Sequence, residues 1–256
     1  MSEKSVAFDR AAEYYDDTRG FPAGEAQHVA AHIAQTGGLS ADSRLLEIGV
    51  GTGRIALPLA RHVREMVGLD LARPMMAKLL QKKTDEPIAL IEGDATRLPL
   101  ADHSVDAVLT VHVLHLIPNW RAALAELARV LRPGAPLLYS WGGGGQSELR
   151  EAWNSAVPEQ PAVGVDFTDF DDDLVAAGWR RVGTEAVYTY PDQFVPQKFL
   201  DSAKGRMWSR SWRLTDEEVA AGVAAVESYI AAHFLDPTQP VPTTGEFHVR
   251  VYLPEK

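Results

Sequence analysis

Residues 45–63 read LLEIGVGTGRIALPLARHV: an apolar run, three glycines at every second position, then apolar residues at helical spacing. A strand that runs through glycines into a helix is a tight βα turn, where glycine permits positive φ and lets the backbone approach a ligand. In an open parallel sheet such a turn lies beyond the carboxyl ends of the strands, where ligands bind. The spacing excludes two familiar sites. No Gly-Lys-Ser/Thr follows, so this is not a P-loop, and the dinucleotide fingerprint needs glycine where Arg54 stands. Glu47, two residues before Gly49, would repel a pyrophosphate but can accept a hydrogen bond from an amino group.

The rest of the chain alternates in the same manner. A short amphipathic helix and loop are expected over 5–20, a helix over 24–35, and strands at 44–48, 65–71, 87–93, 104–113 and 136–141. Helices are expected over 53–63, from Arg73 to before Asp85, and over 120–131, the last stopped by Arg132-Pro133-Gly134. Alternation of this kind predicts a doubly wound, mostly parallel α/β sheet with helices on both faces. Beyond Trp141 the rhythm changes. Helices are expected at 147–156 and 170–179, a strand at 181–190, mainly helix over 192–235, and a final alternating strand at 246–253. The expectation is therefore six or seven strands, the last antiparallel, with N-terminal helices and a helical insertion at about 192–236 before the last strand.

Three further stretches turn this pattern into a resemblance: Asp70 closing VGLDL, Asp94-Ala95 in IEGDATRLPLADHSVDAVLT, and ALAELARVLRPGAPLLYS. With Glu47-x-Gly49-x-Gly51-x-Gly53 they resemble, in order from about Arg44 to Tyr139, the class I S-adenosylmethionine-dependent methyltransferases. The lead-in FDRAAEYYDDTRGFP resembles the small-molecule, ubiquinone/menaquinone-biosynthesis-like (type 11) members, with Phe8, Ala12, Tyr15, Arg19 and Pro22 on the pattern. Ala135 departs from it, since Gly-Gly is commoner after the proline.

The resemblance implies S-adenosylmethionine as cofactor and methyl transfer to a small molecule. Gly49, Gly51 and Gly53 would approach the cofactor. Glu47 would accept from an amino group and Asp70 would bind the ribose hydroxyls. Asp94 would take the adenine amino group and the Ala95 N–H a ring nitrogen. Tyr15 and Arg19 would close over the cofactor. It also implies one methyltransferase domain over 1–256: an N-terminal helical cover to residue 40, a core over 41–145 and a substrate-side half over 146–256.

His112 stands at the end of the fourth strand, where acceptor would meet methyl group, and imidazole is the natural base at neutral pH. It is the candidate base, and His115 a packing residue. The two have no third partner at ligand spacing, so no metal site is expected. Trp208 and Trp212, interleaved with Arg206, Arg210 and Arg213, read as core packing beside a solvated face. The acidic run at 169–173 reads as a helix start, and the glycines at 142–145 as a loop.

Composition narrows the partners. A formal charge of −10 disfavours a nucleic-acid backbone, and no Asn/Asp-Pro-Pro-Tyr/Phe acceptor motif is present. Cysteine is absent, which excludes thiolate chemistry. No apolar run has the length of a membrane span and the start has no signal-peptide core, so a cytoplasmic protein is expected. Two alternatives stand beside the enzyme. A nicotinamide-dependent oxidoreductase would share the sheet and Asp70 but have no use for Asp94. A non-catalytic S-adenosylmethionine-binding protein would keep every cofactor residue.

Overall fold

The computed structural model describes residues 8–144, 147–165 and 170–255. Residues 5–7 of the first expected helix, Gly145 of the glycine run and Asp169 of the acidic run lie outside these. After a 3-10 turn at Asp9–Ala11 come α1 (Tyr15–Arg19), α2 (Glu25–Thr36), β1 (Arg44–Ile48), α3 (Ala56–Leu59), β2 (Glu65–Asp70) and α4 (Arg73–Lys82). β3 (Ile88–Glu92), β4 (Ala107–Val111), α5 (Trp120–Val130) and β5 (Leu137–Gly144) complete the regular alternation. Then follow α6 (Ser147–Ala156), α7 (Phe170–Ala176), β6 (Trp179–Phe194), α8 (Pro196–Lys204), α9 (Asp216–His233) and β7 (Val241–Pro254).

Seven strands form one sheet in the order β3-β2-β1-β4-β5-β7-β6. The parallel ladders set Ile48 beside Leu69 of β2 and Thr110 of β4, and Val111 beside Ser140 of β5. Connections leave β1 toward β2 on one side and arrive at β4 on the other, so the switch point falls between β1 and β4. β1 and β4 are covered on both faces, which is why they are mostly apolar, with Glu47 and Thr110 the buried polar exceptions. β3, at the sheet margin, is only partly buried.

α5 buries Trp120, Ala123, Leu124, Leu127 and Val130, the repeat of a helix lying with one side on a sheet. With Leu46, Ile48, Val108 and Leu137 they make the main core. The expected helix over 53–63 is a single α turn continued as a 3-10 turn over Ala60–His62. Pro58 has no N–H to bond back to residue 54, so the α ladder is interrupted there. The expected strand at 104–113 is shorter, ending at Val111 where His112 takes φ +54°.

The chain divides into two compact units. The first comprises 1–142, 162–188 and 247–256, and the second 143–161 and 189–246. In the second, α6, α8 and α9 pack around Leu149, Trp153, Phe199, Leu214, Val226 and Ile230. Gly222 on α9 makes room for Trp153, since a Cβ there would lie 2.6 Å from the indole. Thr215 and Glu218 close a reciprocal capping box at the start of α9. Trp208 stands edge-on to Trp153 at 5.5 Å and 4.8 Å from Phe199, the packing role its spacing implied. The expected helical insertion is present between β6 and β7. Both strands are longer than the alternation indicated, and residues 192–194, read as helical, continue β6.

Candidate active site

At the switch point the ends of β1, β2, β3 and β4 surround a cavity. Its lining brings together Tyr15, Gly49, Gly51, Asp70, Asp94, Ala95 and His112, all singled out from the sequence. Gly49 and Gly51 have φ of +73° and +54°, and the Gly49 N–H donates to the Leu69 carbonyl at 2.7 Å. A Cβ on Gly49 would lie 2.8 Å from Val113 Cγ2. The turn is thus wound so that its backbone, with no side chains in the way, forms one wall.

Asp70 is anchored from both sides. Its Oδ2 accepts the Gly51 N–H and its Oδ1 the Ala72 N–H, each at 2.8 Å. Burial raises its pKa against the opposing pull of these bonds. Each carboxylate oxygen retains a further lone pair, the set needed to receive two neighbouring hydroxyls. Asp94 accepts the Thr96 N–H at 2.8 Å, a turn that presents Asp94 and Ala95 side by side on the lining.

Three of the sequence candidates are not on the lining. Gly53 has φ +79°, and a Cβ there would meet Leu79 Cγ at 2.6 Å, so it lets the turn pack on α4. Glu47 is 2% exposed, its Oε2 has no hydrogen-bond partner among the described residues, and burial lifts its pKa well above the usual carboxylate value. Arg19 is exposed on α1, where its carbonyl accepts from Arg54 at 3.0 Å.

α1 has no buried residue. Asp16 accepts from the Thr52 hydroxyl and pairs with Lys82 at 2.6 Å, and Glu13 pairs with Lys78 at 2.8 Å. These contacts place Tyr15 against Phe8, ring centroids 6.2 Å apart, and both line the cavity.

His112 also lines the cavity, and its Nε2 accepts the Gly142 N–H at 2.8 Å. Burial, then the nearby Arg54 and His115, lower its pKa to about 3. That ring is neutral at physiological pH, with one lone pair already engaged. His115 falls in the 3-10 turn Leu114–Leu116, off the lining. Among the described residues no group of three or more His, Asp or Glu side chains is placed to hold a metal ion.

Residues the sequence did not assign to the site include Phe8, Met75, Gly93, Leu116 and Ile117. Phe8 stood on the lead-in pattern. Met75 is an ordinary apolar position of an amphipathic helix, with no signal that it would face a ligand.

Fold and site define an open α/β protein with a cavity at its switch point. A family model described as a methyltransferase domain matches residues 46–139. The malonyl-[acyl-carrier protein] O-methyltransferase of Methylococcus capsulatus is 34% identical over 80% of this chain and 77% of its own length. Phthiotriol/phenolphthiotriol dimycocerosates methyltransferase 1 of Mycobacterium ulcerans is 32% identical over 71% of this chain and 65% of its own. The alignment thus spans slightly less than two thirds of the mycobacterial relative. The crystal structure of the YcgJ protein of Bacillus subtilis superposes with a TM-score of 0.57 at 18% identity, covering 90% of this chain and 99% of that one. The chain belongs to the class I methyltransferases, the family whose methyl donor is S-adenosylmethionine.

Proposed function

We propose that this protein transfers a methyl group from S-adenosylmethionine to a small-molecule acceptor and releases S-adenosylhomocysteine. The observation that carries the proposal is Asp70, fixed by two backbone N–H groups at the cavity edge with lone pairs remaining for a diol. In this reading Asp70 holds the ribose, Asp94 and the Ala95 N–H take the adenine edge, and Gly49 and Gly51 allow close approach. Tyr15 and Arg19 close over the cofactor, Glu47 accepts from its amino group, and Gly53 acts through the packing of the turn. The buried, unpartnered Oε2 of Glu47 fits an amino-bearing ligand more readily than a phosphate-bearing one. When bound, S-adenosylmethionine supplies an electrophilic methyl carbon on a sulfonium. The protein's task is orientation and exclusion of water.

Among the described residues no helix is long and apolar enough to cross a membrane. A cytoplasmic enzyme acting on a small molecule rather than a nucleic acid is the reading that accords with the charge of −10. The test is release of S-adenosylhomocysteine by the purified protein in the presence of small acids, phenols and amines. Acceptor-dependent release is expected. Cofactor binding with no release from any of them would restrict the chain to binding.

A further inference from the structure

Resting on the methyltransferase reading, we infer that the acceptor is a carboxylate and that the Nδ1–H of His112 is the hydrogen-bond donor that receives it. β4 and β5 part at His112. Val111 is the last residue of β4 and lies beside Ser140 of β5. His112 adds one more backbone bond, its N–H donating to the Ser140 carbonyl at 3.2 Å, and then turns away at φ +54°. β5 continues to Gly144, so the Gly142 N–H extends past the last β4 carbonyl. The imidazole takes over as acceptor, through Nε2 at 2.8 Å.

A nitrogen that accepts from an N–H carries no proton, so the neutral ring holds its proton on Nδ1. The partner is a backbone amide, which does not titrate, and the tautomer is therefore locked. Protonating Nε2 would set two donors against each other in a buried place, beside the positive charge of Arg54. His112, on the cavity lining, thus carries a donor at Nδ1 and no free base at Nε2. A non-glycine residue in the left-handed region at a ligand site is backbone strain of the kind that accompanies function.

The other titratable groups on the lining are Tyr15, Asp70 and Asp94. Asp70 and Asp94 hold backbone N–H groups at the ends of β2 and β3. A phenol, alcohol or ammonium acceptor must lose a proton, which His112 with its Nε2 engaged does not take. A carboxylate is already ionised above about pH 5. Its oxygen gives an electron pair to the methyl carbon as the carbon–sulfur bond breaks onto sulfur. A neutral ester and a neutral thioether result, and no proton is released. Asp70 and Asp94 share the lining and in this reading face the ribose and adenine of the cofactor, while salt screens the more distant charge of the protein beyond about 10 Å.

The experiment uses full-length protein with 15N-labelled histidine, saturated with S-adenosylhomocysteine, the His112 signals assigned by their loss in His112→Asn. Asparagine tolerates positive φ, which protects the fold of the variant. The expected spectrum is an Nδ1–H tautomer, unchanged from pH 5 to 8, whose proton resonance moves on titration with acetate, malonate or octanoate and not with octylamine. Octanoate affinity should fall about tenfold in His112→Asn, as for loss of a hydrogen bond to a charged group, with S-adenosylhomocysteine affinity preserved. An Nε2–H tautomer, titration near pH 6–7, or no response to any of the three carboxylates overturns the inference. Failure of S-adenosylhomocysteine to bind overturns instead the reading beneath it.

Discussion

Gly51 donates its backbone N–H to Oδ2 of Asp70 across 2.8 Å, tying the turn after β1 to the tip of β2. The same contact shapes the cavity wall and orients the carboxylate. Asp70→Ala should therefore weaken S-adenosylmethionine binding by about 1–3 kcal/mol, the loss of a charged hydrogen-bonding partner. Equilibrium dialysis measures it. Unchanged affinity in a folded variant would take Asp70 out of the site.

Gly53 separates packing from binding. Alanine there would press on Leu79 at 2.6 Å in a backbone region that L-residues avoid. Gly53→Ala should lower stability by about 1–3 kcal/mol in denaturant unfolding, while the folded fraction keeps its cofactor affinity. A stable variant that no longer binds would give Gly53 a direct contact.

Polar links hold α1 at the cavity, chiefly Asp16 with Thr52 and Lys82, and Glu13 with Lys78. Exposed pairs of this kind are worth about 0.2–1 kcal/mol each and are screened by salt. Asp16→Ala should speed S-adenosylhomocysteine dissociation a few-fold in stopped-flow fluorescence, and added salt should do the same to the natural protein. An unaltered dissociation rate in both would show that α1 does not retain the ligand.

Glu47 gives a pH dependence of definite sign. Its folded pKa lies well above the usual 4.5, because burial disfavours the charged form. Above that usual value the unfolded chain has released the proton and the folded one still holds it. The residue's contribution is thus complete below about pH 4.5 and is lost as pH rises toward the folded pKa. Glu47→Gln should flatten this part of the stability-against-pH curve. An identical slope in the variant would mean that Glu47 ionises freely.

The sheet was legible because each of its buried strands carries its own signal: apolar runs at Leu45–Ile48 and Ala107–Val111, with breakers such as Pro133-Gly134 between elements. The cavity lining was legible where residue type and position coincide, as at Gly49, Gly51, Asp70 and Asp94. What sequence hid depends on partners distant in the chain. α6 belongs with the inserted helices because Trp153 fits over Gly222, and neither residue announces the other. Gly53 looks like its two neighbours until Leu79 is placed beside it. His112 stood out as an imidazole at a strand end, but the Gly142 N–H that its Nε2 accepts depends on the unequal lengths of β4 and β5.

The central claim is that the glycine turn and Asp70 hold S-adenosylmethionine rather than a nicotinamide dinucleotide. Calorimetric titration of the protein with S-adenosylhomocysteine, run beside NAD+ and NADP+, tests it most directly. Saturable micromolar binding of S-adenosylhomocysteine is expected, with no heat from either dinucleotide. Binding of a dinucleotide with none of S-adenosylhomocysteine would contradict it, and with it the roles given to Asp94 and Glu47.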